Sequence, residues 1–331
     1  MKFIYLILSV CLLVSCVKNS DADSEKHRSN LKSIASKINQ DFKNIRMEVK
    51  TLADELTKLY ENQADALKKS DPTKYALANN GVFFKTEDDG GAAVFVSGVI
   101  PINEEIKKVV YFTEPLDSSL KRISKKYPEA VQAYYNDKHS VNRIYPFFDV
   151  LAQYEAKMDI PAYNFYFCAD LKHNPSKQAI WVNEPYVDPA GRGWMVSAIA
   201  PVYYKDELVG VPGIDVTINT ITRRYLLENS NIVAMIVDTT GVIVAAQESM
   251  INLLSFPTLI DHKYIETIKQ NTYRKEAYNI KLSREVEIRK LAKLIINDKS
   301  KSAEITLNGE KINFISEYIP ELNWFLIEAI K

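Results

Sequence analysis

Apolar residues recur at Leu31, Ile34, Ile38, Phe42, Ile45, Val49, Leu52, Leu56 and Leu59, in steps of three and four. That spacing puts one apolar stripe along a helix, and no Gly or Pro interrupts it before Pro72. The pattern predicts a long helix over 31–64. Its stripe suits packing along two subdomains, a coiled-coil seam, or both. Residues 17–30 are polar and aperiodic, which suits a flexible tether.

After Pro72 the period changes. Val82-Phe83-Phe84 and Ala92–Val99 predict strands around the turn Thr86–Gly91. A short helix is expected over Asp117–Lys126, capped by Asp117 or Ser118. Aromatic-rich strands are expected at 131–135 and 163–168. A hairpin follows from Trp194–Tyr204 and Leu208–Val216, and then a helix over Asn219–Leu227. Beyond it, Ile232–Val237 and Val242–Ala246 read as strands, and Lys263–Gln270 and Arg284–Ile296 as helices. Ala303–Leu307 and Lys311–Tyr318 form a hairpin on Asn308-Gly309, and Asn323–Ile330 is the last strand. The order predicts an α+β fold, a long N-terminal helix followed by two antiparallel-sheet subdomains, rather than a parallel sheet.

The N-terminus reads differently from the rest. One Lys at position 2 precedes a short apolar run to Val14, as in a secretory signal, and the run is too short to span a bilayer as a mature helix. Leu13-Val14-Ser15-Cys16 resembles the bacterial lipobox, which implies cleavage before Cys16 and lipid on that cysteine. The expected division is 1–15 signal peptide, 16–30 lipidated tether, 31–75 long helix, and two subdomains at 76–226 and 227–331. Cys168 then remains as a single cysteine, reading as a small buried hydrophobe in a strand. Val17 after the lipidated residue favours the outer membrane, on the periplasmic or exterior side. The chain stops directly after a predicted strand, so no output module of its own is expected.

Composition narrows the function. The 331 residues hold 42 Lys+Arg and 42 Asp+Glu, so a basic nucleic-acid binder is disfavoured. The four histidines are scattered, and no phosphate-binding loop, nucleophile elbow or dinucleotide fingerprint is present. Neither an enzyme, a metal site nor a cofactor is expected.

The most specific stretch is Trp181-Val182-Asn183-Glu184-Pro185-Tyr186-Val187-Asp188-Pro189-Ala190-Gly191-Arg192-Gly193-Trp194. It continues through Pro201-Val202-Tyr203 to Gly210-Val211-Pro212-Gly213-Ile214-Asp215. This resembles the double Cache family of PAS-like extracytoplasmic sensor domains over nearly all of the mature chain. The resemblance implies a helix bracing two stacked subdomains and a small-molecule pocket in the membrane-distal one, 76–226, with 227–331 membrane-proximal. In amine-binding members the residue matching Asp215 contacts the ligand.

The residues themselves agree in part. Asp215, in an apolar strand, needs a cation or several donors; a structural partner is the competing explanation. Tyr186 offers a ring and a hydroxyl, and Asp188 an acceptor for an ammonium, although Asp188 also suits an Asx turn. Trp181 is a pocket wall or plain core. Arg143 and Tyr145 fall where amino-acid-binding members carry Arg-x-Trp-Tyr, and Arg143 could hold a carboxylate. Here Tyr145 replaces the Trp, Pro146 the Tyr, and Lys138 an upstream Tyr, so the full amino-acid motif is absent.

The expected function is a lipid-anchored sensor binding a small amine- and/or carboxylate-bearing ligand, amino-acid-like, amine or carboxylate, and signalling through a partner, such as a membrane histidine kinase or chemoreceptor. The alternative is an interaction module that regulates such a partner without a ligand response of its own.

Overall fold

The apolar stripe of the N-terminal helix is buried from Leu31 to Leu56, while the outward face carries Lys32, Ser36, Lys43, Lys50 and Asp54, with Met47 its one large exposed apolar residue. Among the described side chains, this stripe is thus buried within the chain. The computed structural model describes residues 2–228, 232–257 and 275–330, with side chains from Asp23 onward except at 275 and 276. The expected helix over Lys263–Gln270 lies outside the described residues, as does the side chain of Cys16.

The helix itself, α1, runs Lys2–Glu61. It therefore includes residues expected to be a loose tether. Residues 17–30 contain no Gly or Pro, so a helix nucleated by the stripe propagates into them at little cost. His27 Nδ1 then lies 2.7 Å from Glu328 Oε1, a contact that polarity alone did not reveal.

The chain divides into two compact units. Of the described residues, Asp41–Arg224 form one, and those up to Gln40 and from Tyr225 onward form the other. The helix is thereby shared between the units rather than standing as a separate segment.

The first unit holds β1 (Tyr75–Leu77), β2 (Phe83–Lys85), β3 (Ala93–Val96), β4 (Ala130–Asp137) and β5 (Val141–Tyr145). It continues with β6 (Ile180–Val187), β7 (Trp194–Ile199), β8 (Val202–Tyr204) and β9 (Glu207–Thr217). They form one antiparallel sheet in the order β1-β2-β3-β5-β4-β9-β7-β6, with β8 added to β9. The expected long strand 194–204 is broken at Ala200-Pro201, because Pro cannot donate to a ladder. Lys205 and Asp206, both at positive φ, turn β8 into β9.

Two further expectations change. Residues 163–168 are not a strand: Asn164–Phe167 is a short helix, entered through the Pro161 turn Ile160–Ala162. A brief aromatic run fits either element, and its period cannot decide. The helix Leu116–Lys126 begins one residue early behind Pro115, without a side-chain cap, because Asp117 is engaged elsewhere.

The second unit has β10 (Val233–Asp238), β11 (Ile243–Ala246), β12 (Ser302–Leu307), β13 (Glu310–Ile319) and β14 (Trp324–Ile330), ordered β11-β10-β14-β13-β12. The turn Asn308-Gly309 has both residues at positive φ, as the hairpin requires. The architecture is α+β: a long N-terminal helix and two antiparallel sheets. Among the described residues no helix is long and apolar enough to cross a membrane.

Candidate functional site

Side chains alternate across a strand, so the register of β4, β5, β7 and β9 decides what meets what. Gln132 pairs with Asp215, Tyr134 with Gly213, and Asn136 with Asn142. Ser197 on β7 lies opposite Asp215 from the other side. These residues share one face of the sheet. On it opens a narrow pocket of about 320 Å³ including its mouth, lined by Gln132, Tyr134, Asn142, Tyr186, Asp188 and Asp215, among others. Phe165, Ile144 and Ile160 supply apolar wall.

Asp215 is 1% exposed. Its Oδ1 accepts a hydrogen bond from the Ser197 hydroxyl, and its Oδ2 accepts one from Gln132 Nε2 at 2.6 Å. Ser197 is also within 2.6 Å of the Tyr186 hydroxyl. Burial pushes the Asp215 carboxyl up to about 7, and the charge of Asp188 adds to that, against the Ser197 and Gln132 hydrogen bonds. No lining side chain is cationic.

Asp188, 4% exposed, follows β6. It accepts from the amides of Ala190 (3.1 Å) and Arg192 (3.2 Å), so it does fold its own loop as an Asx residue does. Those two bonds leave lone pairs for a guest. Burial raises its pKa, and the two amides, the charge of Arg192 and the side-chain amide of Gln132 oppose the rise. The loop returns through Gly191 and Gly193, both at positive φ. Arg192 Nη1 donates to Val131 O at 3.1 Å, and its guanidinium lies 5.3 Å from the Phe148 ring centre.

Two buried polar atoms of lining residues have no hydrogen-bond partner: Gln132 Oε1 and the Tyr134 hydroxyl. Groups so placed are costly to leave unpaired. Gly213 makes room for Tyr134: a Cβ there would stand 2.2 Å from Tyr134 Cζ. Aromatic rings continue around the pocket, with Phe165 5.5 Å from Tyr186 and 6.2 Å from Tyr134 between centroids.

Of the six residues expected to bind, Tyr186, Asp188 and Asp215 line the pocket; Arg143, Tyr145 and Trp181 do not. Arg143 pairs opposite Tyr135, on the other face of the sheet, and is fully buried. Its Nη1 is 2.5 Å from Asp117 Oδ1; Nη2 donates to Val110 O (2.6 Å) and Tyr75 (3.4 Å), and Nε to Thr113 (3.3 Å). Strand parity explains the correction: β5 presents Asn142 and Ile144 to the pocket, so Arg143 and Tyr145 point away. Trp181 pairs with Ala198 on that far face, and its ring lies 4.9 Å from Phe42 of α1.

The residues the sequence reading missed are Gln132, Tyr134, Asn136, Asn142 and Ser197. For the three on β4 the one signal was the row Gln132, Tyr134 and Asn136, alternating with Val131, Ala133 and Tyr135. Among the described residues no group of three or more His, Cys, Asp or Glu side chains is placed to hold a metal ion.

No protein-family model and no curated protein matches the chain. Solved structures similar to it include two from Pseudomonas aeruginosa. One is the ligand-binding domain of the amino-acid chemoreceptor PctB with L-Arg, at 13% identity and TM-score 0.47, covering 93% of this chain and 94% of that one. The other is that of PctC with GABA, at 14% identity and TM-score 0.48, covering 93% and 99%. The domain of CtaA from Pseudomonas fluorescens with L-isoleucine is similar at 16% identity and TM-score 0.42, covering 92% and 95%.

Proposed function

We propose that this chain is an extracytoplasmic sensor protein of the double Cache type, which binds a small ligand through a positively charged group in the pocket of its nine-stranded unit. The reading draws on the sequence resemblance and on the architecture that the resemblance implies. The single observation that carries it is the pair Asp188 and Asp215, two carboxylates buried at one pocket with no cationic lining side chain. Arg192 acts on both acids through its charge alone; buried carboxylates without a bonded counter-charge are costly or neutralise, and a cationic guest relieves both. Carboxyl groups in a pocket also suit acid–base catalysis; the absence of a bonded cation is the observation that favours binding.

In this reading Cys16 carries lipid and holds the protein on the outer membrane, facing the periplasm or exterior, and a membrane histidine kinase or chemoreceptor receives the signal. Ligand occupancy reaches that partner by biasing a conformational equilibrium.

A metabolite thermal-shift screen tests the binding. At about 100 times its Kd a ligand adds about 2.7 kcal/mol of apparent stability. Asp215→Ala is expected to keep the fold and lose that stabilisation. Unchanged stabilisation in the variant refutes the assignment. Incorporation of radiolabelled palmitate, lost in Cys16→Ser, checks the anchor.

A further inference from the structure

The pocket specifies more than a positive charge. We infer that its guest is a primary ammonium ion carrying no carboxylate, a conclusion that rests on the cation-binding role proposed above.

Consider first what the pocket lacks. A carboxylate in a dry site needs a guanidinium, an ammonium or several converging donors. Arg143, the residue whose sequence position suggested that role, lies on the opposite face of the sheet with Nε, Nη1 and Nη2 all engaged. The side-chain amides of Gln132 and Asn142 each give an N–H, to Asp215 and to Asn136 Oδ1 respectively, and Gln132 is drawn to Asp188 as well. Arg192, whose charge reaches both acids, is outside the lining and is held by Val131 O and the Phe148 ring. A guest carboxylate would meet Asp188 and Asp215 instead, and like charges repel strongly where water is excluded.

Consider next what the pocket offers in excess. Gln132 is 2% exposed; its Nε2 is committed to Asp215, which leaves Oε1 as an acceptor without a donor. The Asp188 oxygens have each accepted one backbone amide and retain capacity. The Tyr134 hydroxyl, also without a partner, can accept as well as donate. These acceptors call for several N–H donors on one centre, which an R–NH3+ group supplies. The rings of Tyr134, Phe165 and Tyr186 would attract a quaternary ammonium equally well by cation–π contact. A trimethylated head has no N–H, however, and would seal Gln132 Oε1 off unpaired. The orphaned acceptor therefore decides between the two kinds of cation.

Matched triples test both halves on the purified full chain in detergent: L-leucine, 3-methylbutylamine and N,N,N-trimethyl-3-methylbutylammonium, with the corresponding phenylalanine set. Thermal shift and titration calorimetry are the readouts. The primary amine is expected to bind, the amino acid at least about 100-fold and the trimethylated cation at least about 10-fold more weakly. In Gln132→Leu the preference for the primary amine over the trimethylated cation should collapse. Tyr134→Phe, which keeps the Asp215 hydrogen bonds, should narrow it, so a poorly folding Gln132 variant leaves the idea open to refutation.

An amino acid binding as tightly as its amine overturns the exclusion of carboxylate while leaving the cation-binding role standing. Loss of that amino-acid binding in Arg192→Ala would then name the carboxylate's partner. Equal binding of the trimethylated cation overturns the requirement for N–H donors. If no member of either set shifts the wild type, the cation-binding role fails and this inference falls with it.

Discussion

The two faces of the nine-stranded sheet both bury charge, and they treat it in opposite ways. Around Arg143, on one face, each charge of the network is answered. Asp117 accepts from Arg143, from the Ala92 amide at 3.0 Å and from Lys85 at 3.4 Å. Lys85, itself buried, also donates to Asp89 and to Ala92 O. Against the upward push of burial, hydrogen bonds from Lys85, the Gly91 amide and Lys74 hold Asp89 at about 2. On the pocket face, Asp215 has two neutral hydrogen-bond donors and feels the charge of Arg192 without bonding to it, and Gln132 Oε1 and the Tyr134 hydroxyl have no hydrogen-bond partner. A saturated network is self-sufficient structure, whereas a deficient one is completed by something from outside. Burial alone does not separate the two; the inventory of partners does.

The largest expected effect breaks the saturated side. Arg143→Met leaves Asp117 without its guanidinium and vacates three further acceptors, Thr113 Oγ1, the Tyr75 hydroxyl and Val110 O. Removing one partner of a buried pair typically costs about 3–5 kcal/mol, and urea denaturation should show a loss of that order. A loss below about 1 kcal/mol would mean that this network is as dispensable as a surface ion pair.

Next is Gly213→Ala. The new methyl group would stand within 2.2–2.7 Å of three Tyr134 atoms, so the ring or the strand must shift. Overpacking of this kind costs about 1–3 kcal/mol. Because the displaced ring lines the pocket, ligand-dependent stabilisation should fall as well. Gly210→Ala, crowding Tyr135 on the far face, should cost similar stability and leave ligand stabilisation intact.

Asp215→Asn is expected to act in the opposite sense. The folded-state value is pushed up to about 7 by burial, against an unfolded value of about 3.9. A raised carboxyl contributes stability that is full below about pH 4 and is lost as pH rises through 7. The Asn variant has no such loss. It should match the wild type near pH 4 and exceed it by about 1–2 kcal/mol at pH 8, less than full linkage because Asn accepts fewer hydrogen bonds. Asp137, also raised to about 7 by burial, titrates in both proteins, so the difference between their pH–stability curves isolates Asp215. A flat difference curve would show that Asp215 is already satisfied.

This contrast also explains how far the sequence could be read. The Gly-x-x-Gly-x-Asp run was legible because its glycines have a packing reason: Gly210 and Gly213 admit the rings of Tyr135 and Tyr134 beside a buried acid. Strand and hairpin order was legible from period and turn residues. Arg143 was misplaced because residue type suggests chemistry, while only register says which face a side chain takes, and a shift of one residue reverses it. Trp181 went the same way. Gln132 and Tyr134 were hidden because a polar row on a strand ordinarily faces water; that this row faces a pocket is a tertiary fact. The helical nature of residues 23–30 was missed because their packing involves His27 and Glu328, 301 positions apart, which no local pattern encodes.

The smallest effect offers the sharpest test, because it compares neighbours. Tyr134 and Tyr135 are adjacent in β4, both buried, and face opposite sides of the sheet. The Tyr135 hydroxyl lies 2.6 Å from that of Tyr60, which also donates to Asp137 at 3.3 Å. Tyr135→Phe should therefore cost about 1 kcal/mol, the ordinary net value of a buried hydrogen bond. Tyr134→Phe removes a hydroxyl that has no partner, so without ligand it should be neutral or stabilising by up to about 1 kcal/mol. With a bound amine the order should reverse: Tyr134→Phe loses ligand stabilisation and Tyr135→Phe keeps it. Equal unliganded losses for the two variants would mean that the two faces are alike, and that the deficit read from the pocket side is not one the protein feels.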